Sequence, residues 1–543
     1  MLRISTLFTA LSLLTVVQAV ELGPVSDIVL SNKILNPDGR ERSTVLAGGT
    51  HPGPVIRGKK GDRFQLNVKN DLTNRDMELS ATIHWHGIFQ NGTSPSDGAA
   101  FVTQCPIIPG RSFLYDFSVP NQAGTYWYHS HMSTQYCDGL RGAFIVEDPK
   151  DPYKNSYDFD NGLIPPPSTK EIYMFLTKRL PFIQFLKLTF VLATRFHVPA
   201  REALNERAQS TLINGRGRYS GGRAVPLSVI SVQRTKRYRF RIINMACSAA
   251  FTFAIDKHTL TIIEADGEYT RPLTVDSLEI FAGQRYSVIF TADQAVGNYW
   301  LRANPDRGNP GYDGGRNQAI LRYIGAPAAD PTTVLNVKNP LKEQDLHALV
   351  DARPPGNPRV GGADVNINLV QSFNDTLLRF QINGEVFEPP TVPVLLQILN
   401  GTRKPQELLP KGAVIPLPRN QVIEVSMPAL PSTRNGPHPF HLHGHTFWVV
   451  RSGDNDTYNY VNPVRRDTVS TGLQTTAPNT TIRFVTDNSG PWFLHCHIDW
   501  HLELGLAVVF AEDIPGIAQT KTTAQWKELC PLYEAWKSKQ GVQ

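Results

Sequence analysis

The segment Gly490-Pro-Trp-Phe-Leu-His-Cys-His497, near the carboxyl end of the chain, has a close echo at Gly124-Thr-Tyr-Trp-Tyr-His-Ser-His131, near the amino end. Each segment starts with glycine, continues through apolar and aromatic residues, and ends in a His-X-His triplet. Short apolar runs of this kind, bounded by turn residues, are typical of β-strands. A duplicated β domain would explain the repeat.

The rest of the chain carries the same strand-like pattern. Runs rich in Val, Ile, Phe and Tyr, such as residues 63–68, 237–242, 285–289 and 481–485, recur between clusters of Gly, Pro, Asn and Asp. The 41 glycines and 41 prolines supply many turns, and few windows have a helical period. The pattern predicts an all-β protein built from β-sandwich domains.

The domain divisions are predicted from two polar or proline-rich joints, at residues 147–152 and 325–331. A chain of 543 residues is long enough for about three or four domains. We therefore expect three consecutive domains, at residues 20–150, 151–325 and 326–543.

The amino terminus resembles a secretory signal. Residues 1–19 contain Arg3, an apolar stretch and small residues before the expected cleavage near Val20. The alternative is a membrane anchor, but the apolar stretch is shorter than the roughly 20 residues that a spanning helix needs. We therefore expect a secreted, extracellular protein with no membrane association.

Two further features agree with secretion. Glycosylation sequons of the form Asn-X-Ser/Thr lie at Asn91, Asn374, Asn400, Asn455 and Asn479. Of the five cysteines, four can form two disulfides, and Cys496, between two histidines, is the obvious fifth. The formal charge of +6 is modest, and no basic run with interleaved aromatics predicts a nucleic-acid partner. We expect a monomer.

Ten of the fifteen histidines fall into four clusters. Histidine is the commonest metal ligand among side chains, and one cysteine among histidines favours copper bound by a thiolate and two imidazoles. The clustered residues are His84, His86, His129, His131, His438, His441, His443, His495, His497 and His501.

Strand geometry divides these residues into two sites. In a β-strand alternate side chains share a face, so each His-X-His pair can direct two imidazoles at one metal cluster. Four such pairs supply eight imidazoles, which divide into three, three and two around three copper ions. Cys496 points to the opposite face, where His438 and His501 can complete a mononuclear His₂Cys site.

The histidine pattern has two simpler interpretations. A single His-X-His pair would more simply be a set of polar groups in a strand, but four pairs with His-Cys-His make that improbable. Structural zinc sites usually have four ligands at local spacing, so zinc is the second choice of metal. Copper sites of this kind often have a weak axial methionine, and the candidate for that position here is Leu506, a residue without donor atoms. The alternative is that Leu506 only packs in the core.

At these residues the chain resembles the blue multicopper oxidases, and in particular the fungal laccases. The similarity runs from about Gly53 to the region of Cys530. It includes Gln104-Cys-Pro106, Ser133-Thr-Gln-Tyr-Cys137, Thr211-Leu-Ile-Asn-Gly215 and Pro390-Thr-Val-Pro-Val-Leu-Leu-Gln397. The resemblance implies three cupredoxin-like Greek-key β-sandwich domains.

The resemblance also assigns the ligands of four copper ions. It places His84 and His441 at type 2 copper, and His438, Cys496 and His501 at type 1 copper. The two type 3 coppers receive His86, His129 and His497 on one side, and His131, His443 and His495 on the other. By the same resemblance the disulfides are Cys105 with Cys530 and Cys137 with Cys247.

The implied reaction couples one-electron oxidation of phenols or aromatic amines to reduction of O₂ to water. Oxygen reduction consumes protons, and Asp97 matches the family's acid near the cluster; alternatively it is a surface turn residue. Asp499 is a weaker candidate. Five other histidines are interpreted as ordinary surface residues or as residues that support the metal ligands from outside: His51, His197, His258, His347 and His445. Only His445 is close enough to the clusters to matter.

Two departures from the family pattern concern the substrate and the second domain. Ser248 stands where many fungal laccases have an acid that binds the phenol, so Phe281 and His501 are expected to shape the pocket by contact. Residues 160–205 replace the family's first strand of domain two, either as a surface insertion or as a retained intron.

Two other functions remain open from the sequence. A ferroxidase-like metallo-oxidase would need carboxylates around His438 and His501. A copper-binding protein without turnover would result if the segment at 160–205 prevented folding.

Overall fold

The computed structural model describes residues 21–159, 172–179, 210–219, 221–248, 250–306, 309–430, 436–453, 455–472 and 479–540. Within these ranges the chain forms β-sheets grouped along the sequence into three sandwiches, with few helices. The predicted all-β fold class is confirmed. The described helices include none that is long and apolar enough to cross a bilayer.

The first sandwich has a five-stranded sheet in the order β1-β4-β9-β8-β6 and a four-stranded sheet in the order β3-β2-β5-β7. Its strands are β1 (Glu21–Leu22), β2 (Val25–Leu35), β3 (Arg42–Ala47), β4 (Gly53–Lys59), β5 (Arg63–Asn70), β6 (Ile83–His86), β7 (Ser112–Ser118), β8 (Gly124–Ser130) and β9 (Arg141–Glu147).

The second sandwich has a six-stranded sheet, β11-β10-β13-β18-β15-β16, and a five-stranded sheet, β12-β20-β19-β14-β17. The strands are β10 (Ile172–Arg179), β11 (Ser210–Ile213), β12 (Val229–Val232), β13 (Arg237–Asn244), β14 (Phe251–Ile255), β15 (Leu260–Ala265), β16 (Glu268–Val275), β17 (Ser277–Ile280), β18 (Arg285–Thr291), β19 (Asn298–Pro305) and β20 (Gln318–Tyr323).

The third sandwich has two five-stranded sheets, β21-β25-β30-β27-β28 and β24-β32-β31-β26-β29, and the hairpin β22-β23. The strands are β21 (Val365–Asn368), β22 (Gln371–Asn374), β23 (Arg379–Ile382), β24 (Val414–Leu417), β25 (Val422–Pro428), β26 (Pro439–Leu442), β27 (Phe447–Arg451), β28 (Arg465–Arg466), β29 (Thr468–Ser470), β30 (Asn479–Val485), β31 (Gly490–Cys496) and β32 (Ala507–Glu512). The α-helices are α1 (Val394–Leu399), α2 (Asp499–Glu503), α3 (Ile514–Ile517) and α4 (Ala524–Lys539).

The repeat in the sequence is also a repeat in strand pairing. Strand β6 pairs antiparallel with β8 so that His84 lies opposite His129. Strand β26 pairs antiparallel with β31 so that His441 lies opposite His495. Directly opposite residues share a face of the sheet, so each sandwich presents histidines from two neighbouring strands on one surface.

Part of the segment at residues 160–205 differs from the expected surface insertion. Strand β10 pairs parallel with β13 and antiparallel with β11, so the backbone of these eight residues is an interior strand of the second sandwich. The expectation is wrong for this strand, since its β-branched and aromatic residues suit a sheet despite the irregular pattern around them. The remainder of the segment lies outside the described residues.

The carboxyl-terminal helix closes the fold onto the first sandwich. In α4, Trp526, Leu529 and Tyr533 are buried in the same hydrophobic core as the first sandwich. Trp526 donates its indole N–H to the carbonyl of Thr103 at 3.1 Å. The Cys105–Cys530 disulfide joins the helix covalently to this sandwich, across 425 residues of sequence.

Removing the Cys105–Cys530 disulfide by replacing both cysteines with alanine should lower the free energy of unfolding by about 2–5 kcal/mol. The cross-link closes a very long loop, so its loss adds entropy to the unfolded chain. Urea unfolding followed by tryptophan fluorescence measures the change. An unchanged midpoint would show that α4 is held by packing alone.

Candidate metal centre

Eight histidine side chains converge between the first and third sandwiches. All are buried, the most exposed being His131 at 9%. Four come from the first sandwich, on β8 and β6 or directly after β8, and four from the third, on β26 and β31 or directly after them. They are His84, His86, His129, His131, His441, His443, His495 and His497.

Their ring nitrogens face each other at short range. Nε2 of His84 lies 3.4 Å from Nε2 of His441. Nε2 of His495 lies 3.2 Å from Nε2 of His443 and 3.4 Å from that of His131. Two nitrogens bound to one metal ion at about 2.0 Å, at a tetrahedral angle, would be about 3.3 Å apart. The spacing is that of ligands around shared metal ions.

The opposite side of these rings shows why a cation is needed. Nδ1 of His84 lies 2.8 Å from the carbonyl oxygen of Asp97, and Nδ1 of His441 lies 2.9 Å from the carbonyl oxygen of Asp467. A carbonyl can only accept, so Nδ1 carries the proton in both rings and Nε2 presents a lone pair. Two lone pairs therefore face each other across 3.4 Å. A metal ion between them removes the repulsion.

His443 and His495, the other facing pair, are arranged in the same way. His495 donates from Nδ1 to the carbonyl of Cys496 at 3.0 Å, and His443 donates from Nδ1 to Asp97 Oδ2 at 2.9 Å. His129 donates from Nδ1 to the carbonyl of Ser130, and its buried Nε2 has no hydrogen-bond partner in the described part of the chain. Each arrangement leaves an imidazole lone pair directed into the cluster.

His86 is oriented in the reverse sense. Its Nε2 lies 3.2 Å from Oδ1 of Asp467, while its Nδ1 lies 3.2 Å from Nε2 of His497. Because the carboxylate accepts the Nε2 proton, His86 presents Nδ1 to the cluster.

Burial controls the protonation of these histidines. Desolvation, assisted by the neighbouring imidazoles, holds the pKa of most of them well below the usual range, and burial also lowers the pKa of His441. Neutral imidazole is the form that binds a metal. The strongly shifted residues are His86, His129, His131, His443, His495 and His497.

A second group of donors lies on the other face of β31. Nδ1 of His438 lies 3.0 Å from Nδ1 of His501, and Sγ of Cys496 is 3.6 Å from each of these nitrogens. All three side chains are buried. Cys496 is the described cysteine that lies outside the two disulfides, as its place between two histidines predicted. One thiolate and two imidazoles favour copper.

Hydrophobic residues surround this second group. The ring of Phe380, on β23, lies 4.7 Å from that of His501 and 5.6 Å from that of His438. Leu506 is fully buried in the same core as Cys496, and its carbonyl accepts a hydrogen bond from the Cys496 N–H. Phe380 could not be predicted from the sequence, because nothing in its local sequence connects a hairpin to a site more than fifty residues away.

Two buried carboxylates support the histidines from outside the cluster. Asp97 accepts from His443, and it is fully buried, which argues against a surface turn residue. Asp467 contacts both His86 and His441. Asp467 could not be predicted from the sequence, because the local Arg-Arg-Asp sequence has no metal-ligand spacing. Such outer carboxylates orient metal-bound imidazoles.

The remaining candidates lie around the two groups. Asp499 is buried, its N–H donates to the carbonyl of Cys247, and burial raises its pKa well above the usual range. Ser248 is buried and Phe281 is half-buried. A substrate pocket formed by Ser248 and Phe281 beside His501 stays a prediction.

The other histidines mostly hold structural positions. His445 is buried and pairs with Glu512 at 2.7 Å. His258 is also buried, against Tyr323, so the expectation of a surface residue is wrong for it. His51 is half-buried near the carbonyl of Gly139 and His347 binds a backbone carbonyl, whereas His197 lies outside the described residues.

The cysteine and asparagine predictions also have structural outcomes. Both expected disulfides, Cys105–Cys530 and Cys137–Cys247, are present and confirmed. Asn91 and Asn400 are exposed, while the other three sequon asparagines are partly exposed: Asn374, Asn455 and Asn479.

Comparison with known proteins agrees with this geometry. Models of the multicopper oxidase family match residues 30–151, 194–326 and 387–516. The chain is 52% identical over 526 residues to laccase-1 of Trametes villosa, covering 96% of each. It is 53% identical over 521 residues to a laccase of Phlebia radiata, covering 95% of each.

Solved structures show the same fold. The laccase from Botrytis aclada superposes with a TM-score of 0.78 at 30% identity, over 96% of this chain and 93% of that one. Fet3p, a multicopper oxidase that functions in iron import, superposes with a TM-score of 0.79 at 27% identity, over 94% and 95%.

The chain therefore belongs to the multicopper oxidases, a family of copper-binding proteins with cupredoxin-like domains. Within the family it is a laccase. The higher identity lies with laccases rather than with the iron-import oxidase, so the ferroxidase-like and inactive alternatives are not favoured.

Copper-free protein should lose stability as the pH falls from about 7 to about 5. Seven histidines of the cluster have folded-state pKa values below the ordinary 6.5, so protons below that pH bind preferentially to the unfolded chain. The urea midpoint of the copper-free protein at the two pH values measures the effect.

Four buried or partly buried carboxyls have raised pKa values and should stabilise the folded protein as the pH falls, but they are fewer than the seven shifted cluster histidines: Glu78, Asp138, Glu268 and Asp499. A midpoint that is equal or higher at pH 5 would contradict the protonation states inferred for the cluster.

Proposed function

We propose that this laccase holds four copper ions and oxidises phenols and aromatic amines one electron at a time. Four substrate molecules each lose one electron, and O₂ takes up four electrons and four protons to form two waters. The observation that carries the proposal is the pair of adjoining donor groups on opposite faces of β31, one of eight imidazoles and one of two imidazoles with a thiolate.

The distances support the ligand assignment given by the resemblance. His84 and His441 form the two-nitrogen pair of type 2 copper. His131, His443 and His495 form one type 3 set, with nitrogens within 4.8 Å of one another. The other type 3 set combines His86 and His497, which are 3.2 Å apart, with His129. His438, Cys496 and His501 hold type 1 copper. When bound, the coppers supply the redox chemistry.

The protein supplies the route between the two sites. Cys496 faces the type 1 position, and its neighbours His495 and His497 face the cluster, because successive side chains of a strand alternate. Electrons from the substrate therefore need to cross only a few covalent bonds of the backbone on either side of Cys496.

Asp97 is proposed as the carboxylate that holds a proton beside the cluster. Its Oδ2 is occupied by His443, while Oδ1 lies 3.4 Å from Nδ1 of His84 and has no hydrogen-bond partner among the described residues. A buried carboxylate with one uncommitted oxygen can accept a proton there and release it as oxygen is reduced.

The substrate is proposed to bind near His501, against apolar surface including Phe281, with Ser248 in place of an acid. Serine does not accept a phenol proton as a carboxylate does, so binding by contact and proton loss to solvent would dominate.

We further propose domains at residues 20–150, 151–325 and 326–543, since strands of the first two sandwiches end at Glu147 and Tyr323. We also propose that the protein is secreted and monomeric.

The function is tested on the purified protein with a Clark electrode. Blue colour from the thiolate–copper bond and oxygen uptake with a phenol, at one O₂ per four phenols oxidised, are expected. Faster uptake with ferrous iron than with any phenol would favour a metallo-oxidase, and blue protein without uptake would leave only copper binding.

Replacing Asp97 with Asn should slow turnover by about 10²-fold or more, and shift its pH dependence, while the blue colour persists. The amide keeps the shape of the side chain but cannot take up a proton. Steady-state oxygen uptake between pH 4 and 8 measures this, and unaltered kinetics would remove Asp97 from the mechanism.

Replacing Leu506 with Met should lower the type 1 reduction potential, because a thioether stabilises Cu(II) where leucine offers no donor. Redox titration of the blue absorption band measures the potential. An unchanged or higher potential would contradict the axial assignment, and a Leu506→Ile variant controls for altered packing.

A further inference from the structure

Arg285, the first residue of β18 in the second sandwich, is fully buried and lies beside the cluster although this sandwich supplies none of the assigned ligands. Its guanidinium donates to both carboxylate oxygens of Asp467, at 2.7 and 2.6 Å. It also donates to the carbonyls of Thr125 and Gly283, each at 3.0 Å. One side chain thus joins all three sandwiches.

Asp467 in turn contacts one ligand from each half of the cluster. Its Oδ1 accepts from Nε2 of His86, and its carbonyl accepts from Nδ1 of His441. The carboxylate therefore determines which nitrogen His86 presents. A bidentate arginine fixes the plane of a carboxylate as well as its position. The orientation of His86 depends on the orientation of Asp467, and that depends on Arg285.

The backbone around the Arg285–Asp467 ion pair is tightly packed. A β-carbon at Gly87 would lie 2.7 Å from both Arg285 Nη2 and Asp467 Oδ2. A β-carbon at Gly283 would lie 2.9 Å from the ring of His497. Both glycines have positive φ, near 90°. The chain therefore approaches the ion pair and the rings more closely than any side chain would allow.

We propose that Arg285 is a positioning residue of the trinuclear cluster, through which the second sandwich holds Asp467 and thereby orients His86 and His441 for copper. The proposal rests on the ligand set given above, in which these histidines belong to the type 3 and type 2 coppers. Loss of the guanidinium should weaken copper binding at the cluster and leave type 1 copper in place.

The matched control is Arg302, another buried arginine of the second sandwich. It donates to both oxygens of Asp256 at 2.7 Å, and this pair has no contact with the cluster histidines among the described residues. Removing either arginine breaks a buried bidentate ion pair. Only Arg285 should affect the cluster.

The experiment compares copper-loaded wild type with Arg285→Gln, Arg285→Lys and Arg302→Gln. The readouts are the type 2 EPR signal, the release of copper to a chelator, and the type 1 absorption band as a measure of folding. Arg285→Gln should bind cluster copper about 10- to 100-fold less tightly and alter the type 2 signal. Lysine keeps the charge but not the fork, so Arg285→Lys should fall in between.

Three outcomes overturn the inference. They are unchanged chelator resistance and EPR in Arg285→Gln, equal copper loss in Arg302→Gln, or parallel loss of type 1 and cluster copper. If Arg285→Gln does not accumulate, Arg285→Lys decides alone, and wild-type behaviour there overturns it. Wild type without a type 2 signal would instead refute the proposed copper assignment.

Discussion

The structure is organised by facing imidazole lone pairs, an arrangement that a bound metal ion stabilises. Backbone carbonyls and carboxylates take the proton on one nitrogen of His84, His441, His443 and His495, and the other nitrogens then meet at 3.2–3.4 Å inside a buried space. This arrangement would repel itself without metal. The first and third sandwiches therefore meet around a buried group of nitrogens suited to metal ions, and they share a hydrophobic core beside it.

The second sandwich contacts this centre without supplying any of the proposed ligands. Arg285 reaches between the other two domains, and the Cys137–Cys247 disulfide joins the first sandwich to the second near Asp499. The carboxyl-terminal helix returns to the first sandwich through Cys530. Each connection opposes separation of the domains that form the cluster. Metal affinity should therefore depend on residues that are far in sequence from the proposed copper ligands.

Much of the site could be predicted because successive side chains of a β-strand point to opposite faces. His-X-His on a strand specifies two imidazoles on one face, and His-Cys-His specifies a thiolate on the other. The local sequence was therefore sufficient to predict both groups of metal ligands. Asp467, Arg285 and Phe380 could not be found in this way. The ion pair between Arg285 and Asp467 spans 182 residues, and its function exists only where strands from different domains meet. Strand β10 was missed since its irregular pattern concealed a sheet position.

The most direct test of the account is anomalous X-ray scattering from crystals of the copper-loaded protein, measured above and below the copper absorption edge. Four copper peaks are expected per chain, one within bonding distance of Cys496 Sγ and three enclosed by the eight imidazoles. The cluster peaks should include one between His84 and His441, whose nitrogens are 3.4 Å apart. A single peak, or scattering at the zinc edge instead, would contradict it.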